Sequence, residues 1–249
     1  MRTVIALALA CPLVVALAAG AQPAEARDCA PVSLASDAIA AGPSPLAVGT
    51  SGVKTVLIAA HLQDTCSRIV AVQAQVRSPR EGGTFDLGAG RRDPVSSMTV
   101  YGLELDLDPA TLFNDEAGPW SAIVTAHEGG SGPGVSASAP NFAIVREARL
   151  SVQAGPEAAK IGKAVTVTGA LTRANWETAD YGGYAGRPVD LQFRTPTGPN
   201  TWVKTLTTGV GGRLETTVRA TKDGCYRFVY AGNRTTGRAQ STSDCIKVT

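Results

Sequence analysis

Histidine is nearly missing from this sequence, and aromatic residues are few. The 249 residues include two histidines and only 5% Phe, Trp and Tyr together. His61 and His127 fall on separate predicted strands, on the face opposite the apolar residues. A Ser–His–Asp triad needs a histidine beside an activated serine, and the sequence has no G-x-S-x-G elbow, H-E-x-x-H motif or P-loop. We therefore predict that the protein is not an enzyme and that both histidines lie on its surface.

A charge excess of either sign is also missing. The sequence holds 23 Lys and Arg against 21 Asp and Glu, which gives a formal net charge of +2 at pH 7. Proteins that bind nucleic acids or anionic membrane surfaces electrostatically carry a basic patch and a clear charge imbalance. The composition therefore argues against a nucleic-acid partner.

A long apolar run occurs only at the N-terminus. Arg2 is followed by the apolar residues 4–19 and then by Ala24-Glu25-Ala26, the order of a secretory signal peptide. We predict cleavage after this triplet, with Ala21 as the second choice, and hence a secreted protein with no membrane span in the mature chain. A membrane anchor is less favoured, because the run includes Pro12 and is barely long enough to span a bilayer.

Cysteine is scarce, and the mature chain keeps four: Cys29, Cys66, Cys225 and Cys245. An even number in an exported chain predicts two disulfides, for which three pairings exist. We favour Cys29 with Cys66 and Cys225 with Cys245, because each bridge then stays within one half of the chain. A metal site of four thiolates is the alternative, but the sequence has no C-x-x-C pair and the site would need a reducing environment.

The two segments 224–231 and 245–248 are predicted to form a β-hairpin. Both alternate apolar and polar residues, as antiparallel strands do. Pairing Cys225 with Cys245 centres the hairpin on Thr235, within a run of turn-forming residues. Both sulfurs are then predicted to lie on the outer face of the sheet. The inner face is formed by the aromatic residues Tyr226, Phe228 and Tyr230.

The rest of the mature chain follows the two-residue period of β-strands. Short alternating segments recur at intervals of about ten residues between turn signals, which is the pattern of a β-sandwich. We predict an all-β protein of two tandem Ig-like antiparallel β-sandwich domains, residues 27–147 and 148–249, after the signal peptide 1–26. No Pro/Gly/Ser-rich linker separates them, so they should abut with limited swing.

The alternation pattern predicts the strands and the main loop of the first half. Residues 78–94 are predicted to be a long polar loop, and strand 69–77 is predicted to point Val70, Val72, Ala74 and Val76 inward. The other predicted strands of this half are 31–41, 54–62, 98–107, one that starts at Trp120, and a closing strand with Phe142 and Ile144.

The two halves look like a weak internal repeat. Gly118-Pro119-Trp120 matches Gly224-Cys225-Tyr226, and each follows an acidic residue. An aromatic residue that locks an upstream turn at the start of a strand is the tyrosine corner of Ig-like sandwiches. Trp120 is expected to depart from that motif, because an indole does not copy a phenol. Both predicted disulfides join neighbouring strands rather than two sheets, so an antibody-type domain is not expected.

Segments of the second half suggest a family. Residues 163–169, 181–186, 189–194 and 223–227 read KAVTVTG, YGGYAG, VDLQFR and DGCYR. This pattern resembles the bacterial Ig-like modules of exported actinomycete proteins, well over residues 150–249 and loosely over the first half. The resemblance implies an Ig-like fold and an exported protein and supplies no catalytic residues, although some similar chains are labelled calcium-binding.

Acidic residues on one predicted strand are candidates for calcium. Glu104, Asp106 and Asp108 project from the same face, and calcium needs about six to eight converging oxygen ligands. The sequence has no D-x-D-x-D-G loop, and alternate acids are typical of a solvated strand face. We predict no cofactor, with calcium at these residues as the alternative.

An aromatic loop at residues 173–187 is the other candidate site. It carries Trp176, Tyr181 and Tyr184 among glycines. Such rings stack on sugars or anchor a partner protein, or they fold back to cap the end of the sandwich, which we favour. The sequence thus predicts a non-catalytic, secreted binding or structural protein, whose unknown partner is a polysaccharide or a protein at the cell surface. A carbohydrate-binding module using the 176–184 loop and a calcium-binding module are the alternatives.

Overall fold

β-Strands dominate the described part of this computed structural model, together with four short 3₁₀ helices at Ser36–Ala38, Pro109–Thr111, Asn114–Glu116 and Val210–Gly212. Within that part, no helix is both long and apolar enough to cross a membrane. Cys29, Cys66 and the predicted signal peptide fall outside it, so that bridge and that signal stay predictions. The structure describes residues 32–63, 68–88, 91–92, 99–129 and 134–249.

The strands of the described residues are numbered in chain order. They are β1 (Ile39–Gly42), β2 (Leu46–Val48), β3 (Lys54–Leu62), β4 (Ile69–Arg77), β5 (Thr84–Leu87), β6 (Arg91–Arg92), β7 (Thr99–Leu107), β8 (Gly118–Glu128), β9 (Val135–Ser138), β10 (Phe142–Arg146), β11 (Ala148–Leu150), β12 (Gln153–Gly155), β13 (Ala158–Ala159), β14 (Ala164–Asn175), β15 (Asp180–Gly183), β16 (Pro188–Arg194), β17 (Thr201–Thr207), β18 (Arg213–Arg219), β19 (Gly224–Tyr230), β20 (Ala239–Gln240) and β21 (Asp244–Val248).

The first half forms a sandwich of two sheets. One has the order β1-β3-β7-β6, and the other has the order β2-β10-β8-β4-β5, with β9 also paired to β8. Alternate residues of β3, β7 and β8 point into the space between the sheets, as their sequence pattern predicts. The largest fully buried side chains of this core are Trp120, Phe142, Ile58, Leu107 and Ile144.

The second half forms a sandwich around a separate core. One sheet is built on β14, which pairs with β11, β12, β15 and β18. The other has the order β13-β21-β19-β16-β17, with β20 beside β19. Its core includes Val165, Val167, Leu171, Leu191 and Phe228, all fully buried.

Near the start of each half, the chain changes sheets in the same way. β1 is antiparallel to β3, and β2 is then parallel to β10. In the second half, β12 is antiparallel to β14, and β13 is then parallel to β21. Gly42-Pro43 and Gly155-Pro156 stand at the two crossings, where proline, lacking an N–H, cannot continue the first ladder. The chain is therefore two tandem Ig-like β-sandwiches, as predicted.

The proposed repeat also matches in register. Gly118 of β8 pairs with Ile144, and Gly224 of β19 pairs with Ile246, so Trp120 and Tyr226 stand at equivalent positions. The expectation that Trp120 departs from the corner motif is wrong. Its indole Nε1–H donates to the backbone oxygen of Glu116 at 2.7 Å, which is the upstream bond that the motif requires.

The predicted disulfide hairpin is confirmed. Cys225 pairs with Cys245 across β19 and β21, and a disulfide joins them within one sheet. The turn lies where predicted, because the side chain of Asn233 accepts a hydrogen bond from the backbone N–H of Thr235 at 3.0 Å. Tyr226, Phe228 and Tyr230 are all buried on the inner face.

Three local predictions are corrected. Val70 is 67% exposed rather than inward, because the pairing of β4 with β8 shifts register between Ile69 and Ala71 and breaks the alternation. The segment 78–94 is not all loop, since β5 pairs with β4 there. Of the strand predicted at 31–41, only the C-terminal part is β1, preceded by a 3₁₀ turn.

Candidate functional site

Trp176 lies at the junction of the two sandwiches rather than on a free loop. It stands at the tip of the β14–β15 hairpin, is 3% exposed, and packs into the core of the first sandwich. Its Nε1–H donates to the backbone oxygen of Val48 in β2 at 3.2 Å. The hypothesis that Trp176 stacks on a sugar is therefore wrong, because neither face of its indole is open.

Tyr184 folds back onto the second sandwich. It is 6% exposed, and the guanidinium groups of Arg173 and Arg187 lie 4.1 and 4.5 Å from its ring centroid. Its hydroxyl accepts a hydrogen bond from the side-chain amide of Asn233 at 2.8 Å, in the turn of the disulfide hairpin. The ring caps the end of its own core, as the alternative to a ligand site predicted, and it is not available for stacking.

Tyr181 joins the hairpin to the segment that connects the sandwiches. Its hydroxyl donates to Oε2 of Glu147 at 2.8 Å, and the guanidinium of Arg149 lies 3.7 Å from its ring centroid. The ring also packs against the first core. With its hydroxyl bonded and one ring face covered by a cation, Tyr181 acts in the junction rather than as an open platform.

The connecting segment itself is hydrogen-bonded on both sides. The N–H of Glu147 donates to Val48 in the first sandwich, and its carbonyl accepts from Ala174 in the second, both at 2.8 Å. Arg146 donates its N–H to the turn 233–237 at 3.0 Å and accepts from the same turn at 2.9 Å. These four backbone bonds leave little freedom for rotation between the sandwiches.

A buried cation and an amide pair complete the junction. Arg146 is 8% exposed, and its Nε donates to the backbone oxygen of Ala174. Burial, and then the nearby Arg173, lower the pKa of Arg146. From the first sandwich, Asn114 donates its side-chain amide to the Asn175 side chain at 2.6 Å, and its Oδ1 accepts the backbone N–H of Trp176 at 3.1 Å. The polar groups of Arg146, Asn114 and Asn175 named here are thus paired.

The joint should weaken in alkali. Burial, followed by the hydrogen bond to Glu147, raises the pKa of Tyr181 from 10.0 to about 12. The unfolded chain loses this proton first, so the contribution of Tyr181 to the free energy of unfolding is complete below pH 10 and falls as the pH rises towards 12. We expect Tyr181→Phe to reduce the slope of unfolding free energy against pH in that window, measured by urea titration at successive pH values. An unchanged slope would contradict this role.

The predicted surface residues of the first sandwich do not converge. His61 is exposed on β3, whereas His127 is half-buried on β8 in the other sheet. Asp106 accepts a hydrogen bond from the Thr55 hydroxyl at 2.7 Å, and Asp108 caps the following 3₁₀ helix through the N–H of Ala110 at 3.0 Å. In the described ranges, no three His, Cys, Asp or Glu side chains form a group that could hold a metal ion. Glu104 is exposed beside them.

A shallow cleft lies beside His127, and polar side chains that line it are hydrogen-bonded to neighbouring residues. Asp86 and Thr125 also line this cleft, whose volume is about 470 Å³. Asp86 accepts from the amide of Gln75 at 3.3 Å, and Thr125 shares a hydrogen bond with Ser136 at 2.9 Å. Among the described residues of the cleft, Asp86 and Thr125 are therefore paired with residues other than His127.

An exposed tryptophan lies on the second sandwich, at a position where the sequence did not indicate a site. Trp202 on β17 is 64% exposed, in contrast to Trp120 and Trp176. Simple alternation along β17 places Trp202 on the same face as Leu206, which packs on the core. The pairing of β16 with β17 shifts register between Leu191 and Gln192, and this irregularity turns the indole outward.

Comparisons with known proteins find similar solved structures at low sequence identity. No family model and no curated protein matches the sequence. Similar solved structures include a DUF4785 family protein of Legionella pneumophila (13% identity, TM-score 0.40, covering 77% of this chain and 52% of that one). A chimeric titin Z1Z2 tandem is also similar, with 11% identity and a TM-score of 0.31, covering 85% of this chain and 99% of that one. The Yersinia pseudotuberculosis adhesin InvE has 16% identity and a TM-score of 0.27, covering 86% of this chain and 58% of that one. This chain spans about half the length of the Legionella protein.

Proposed function

We propose that the chain is an exported, non-catalytic protein whose two Ig-like sandwiches act as one rigid binding unit outside the cell. The observation that carries the proposal is the position of Trp176, which belongs to the second sandwich in sequence and to the first core in space. A joint that buries a large aromatic side chain fixes the relative orientation of two domains, because opening it would expose that surface to water. Such a unit presents its surfaces at a constant spacing.

Two further features support an extracellular setting. The disulfide between Cys225 and Cys245 suits an oxidising compartment, and the sequence begins with the pattern of a signal peptide. The resemblance of residues 150–249 to the Ig-like modules of exported actinomycete proteins agrees with both. The position of the two histidines on different sheets supports a non-catalytic role.

Export is tested with the full chain in a bacterial host. We expect the protein in the culture medium, with an N-terminus at Arg27 and no free thiol at Cys225 or Cys245. N-terminal sequencing and thiol alkylation followed by mass spectrometry measure both properties. Retention in the cytoplasm with the N-terminal segment intact would overturn the proposal.

A further inference from the structure

Trp202 stands on the outer face of the sheet that contains β16, β17 and β19, at the edge strand. Its indole is 64% exposed. Its neighbours Thr205, Asp190 and Gln192 are polar. In the described part of β16, β17 and β19 no other large apolar side chain is exposed to this degree. Covering an exposed ring removes apolar surface from water and is favourable, so an exposed indole with polar hydrogen-bonding groups beside it is a candidate contact for a ligand.

The indole is held in one orientation. Its Nε1–H donates to the hydroxyl oxygen of Thr205 at 3.2 Å, and that hydroxyl donates in turn to Oδ1 of Asp190 at 2.5 Å. The register shift between β16 and β17 places Trp202 and Thr205 on the same face. The indole N–H can therefore reach the Thr205 hydroxyl. A ring that is already oriented loses little side-chain entropy when a ligand covers it.

Polar groups continue from the indole across the sheet. Gln192 of β16 lies opposite Trp202, and Arg227 of β19 lies opposite Gln192. Arg227 donates its Nε–H to Oε1 of Gln192 at 2.9 Å, which orients both planar groups. Three neighbouring strands spaced about 4.8 Å apart make this a row about 10 Å long. The amide of Gln192 and the remaining guanidinium N–H groups of Arg227 supply further donors.

The chemistry of this row fits a sugar better than a protein. A pyranose ring presents an apolar C–H face, which stacks on an indole, and hydroxyl groups at its rim, which pair with amide, carboxylate and guanidinium groups. A stable protein interface would instead need a fully buried apolar centre surrounded by a polar rim. Trp202 is a single aromatic residue within a polar row, which is the composition expected for a carbohydrate contact.

We infer that Trp202, Thr205, Asp190, Gln192 and Arg227 form a binding site for a pyranose-containing polysaccharide. The inference rests on the proposed function, since it names the class of ligand for an exported binding protein. It moves the carbohydrate contact from the 176–184 loop, whose rings are enclosed in the junction, to the outer face of the second sandwich.

The test is co-sedimentation of the secreted protein with cellulose, chitin and purified peptidoglycan sacculi. We expect the wild type to sediment with at least one of these polymers and Trp202→Ala to bind about tenfold more weakly or not at all. The expected order is wild type above Trp202→Phe above Trp202→Ala, because phenylalanine keeps a smaller stacking face. Ile161→Ala, at an equally exposed apolar residue of 71% exposure, is the matched control and should bind like the wild type.

The inference is overturned if the wild type sediments with none of the three polymers, or if Trp202→Ala sediments as well as the wild type. Binding to sacculi that is lost after protease treatment of the sacculi would identify a protein partner and would also overturn it. Thermal melting of each variant separates loss of binding from loss of fold. A protein that is exported and processed yet binds no polymer contradicts this inference alone, whereas retention in the cytoplasm contradicts the proposed function.

Discussion

Replacing Trp176 with alanine is expected to lower the free energy of unfolding by about 3–5 kcal/mol, the range observed for truncation of large buried aromatic side chains. The side chain is 3% exposed and fills space in the first core. The substitution also leaves the backbone oxygen of Val48 without its indole partner. Because Trp176 comes from the second sandwich, the loss should loosen the joint as well as the core. Urea unfolding at pH 7 measures the free energy.

Trp202→Ala is the matched control for this prediction. The same change of side chain at a position 64% exposed should alter the free energy of unfolding by no more than about 0.5 kcal/mol. Trp176→Phe should fall between the two, since it keeps a ring but removes the N–H donor. Equal effects of the alanine variants at Trp176 and Trp202 would show that Trp176 is not a buried part of the joint.

Removing the disulfide by the double substitution Cys225→Ala and Cys245→Ala is expected to cost about 3 kcal/mol. The bridge joins residues 20 apart in sequence, and closing a loop of that size removes conformational entropy from the unfolded chain. The corresponding fall in melting temperature is on the order of 10 °C. The double variant is more informative than a reducing agent, which would act on the other cysteines as well.

Histidine substitutions are the control for the disulfide prediction. His61 is exposed on β3, and His61→Ala should change the free energy of unfolding by less than about 0.5 kcal/mol. Calorimetry on the oxidised wild type, the double cysteine variant and the histidine variant compares the three. If the melting temperatures of the double variant and the wild type are equal, the disulfide does not stabilise the second sandwich.

Local alternation of apolar and polar residues was sufficient to predict most strands. The prediction for residues 54–62 coincides with β3, and the acid–leucine alternation at residues 98–107 corresponds to β7. The aromatic inner face, the register and the turn of the hairpin of β19 and β21 were predicted, because alternation, the cysteine positions and the turn residues all depended on the same pairing. Cys225, which was expected on the outer face, is only 8% exposed. These predictions used residues that are close in sequence, the most distant pair being Cys225 and Cys245, 20 residues apart.

The junction could not be read from the sequence, because its contacts join distant segments. Trp176 and Val48 are 128 residues apart, and no periodicity relates them. The sequence did predict that the rings of the 176–184 loop fold back, but it did not indicate that Trp176 enters the other sandwich. Register shifts are the second source of error. One turns Val70 outward and another turns Trp202 outward, and a strict two-residue alternation predicts neither.

The distance between the sandwiches is the most direct test of a rigid two-domain unit. Spin labels carried by unnatural amino acids at Leu57 on β3 and Ile161 before β14 would report it by pulsed electron resonance, since both positions are exposed. We expect a single narrow distance distribution for the wild type and a broader one for Trp176→Ala. A wild-type distribution as broad as that of the variant would contradict a joint fixed by Trp176.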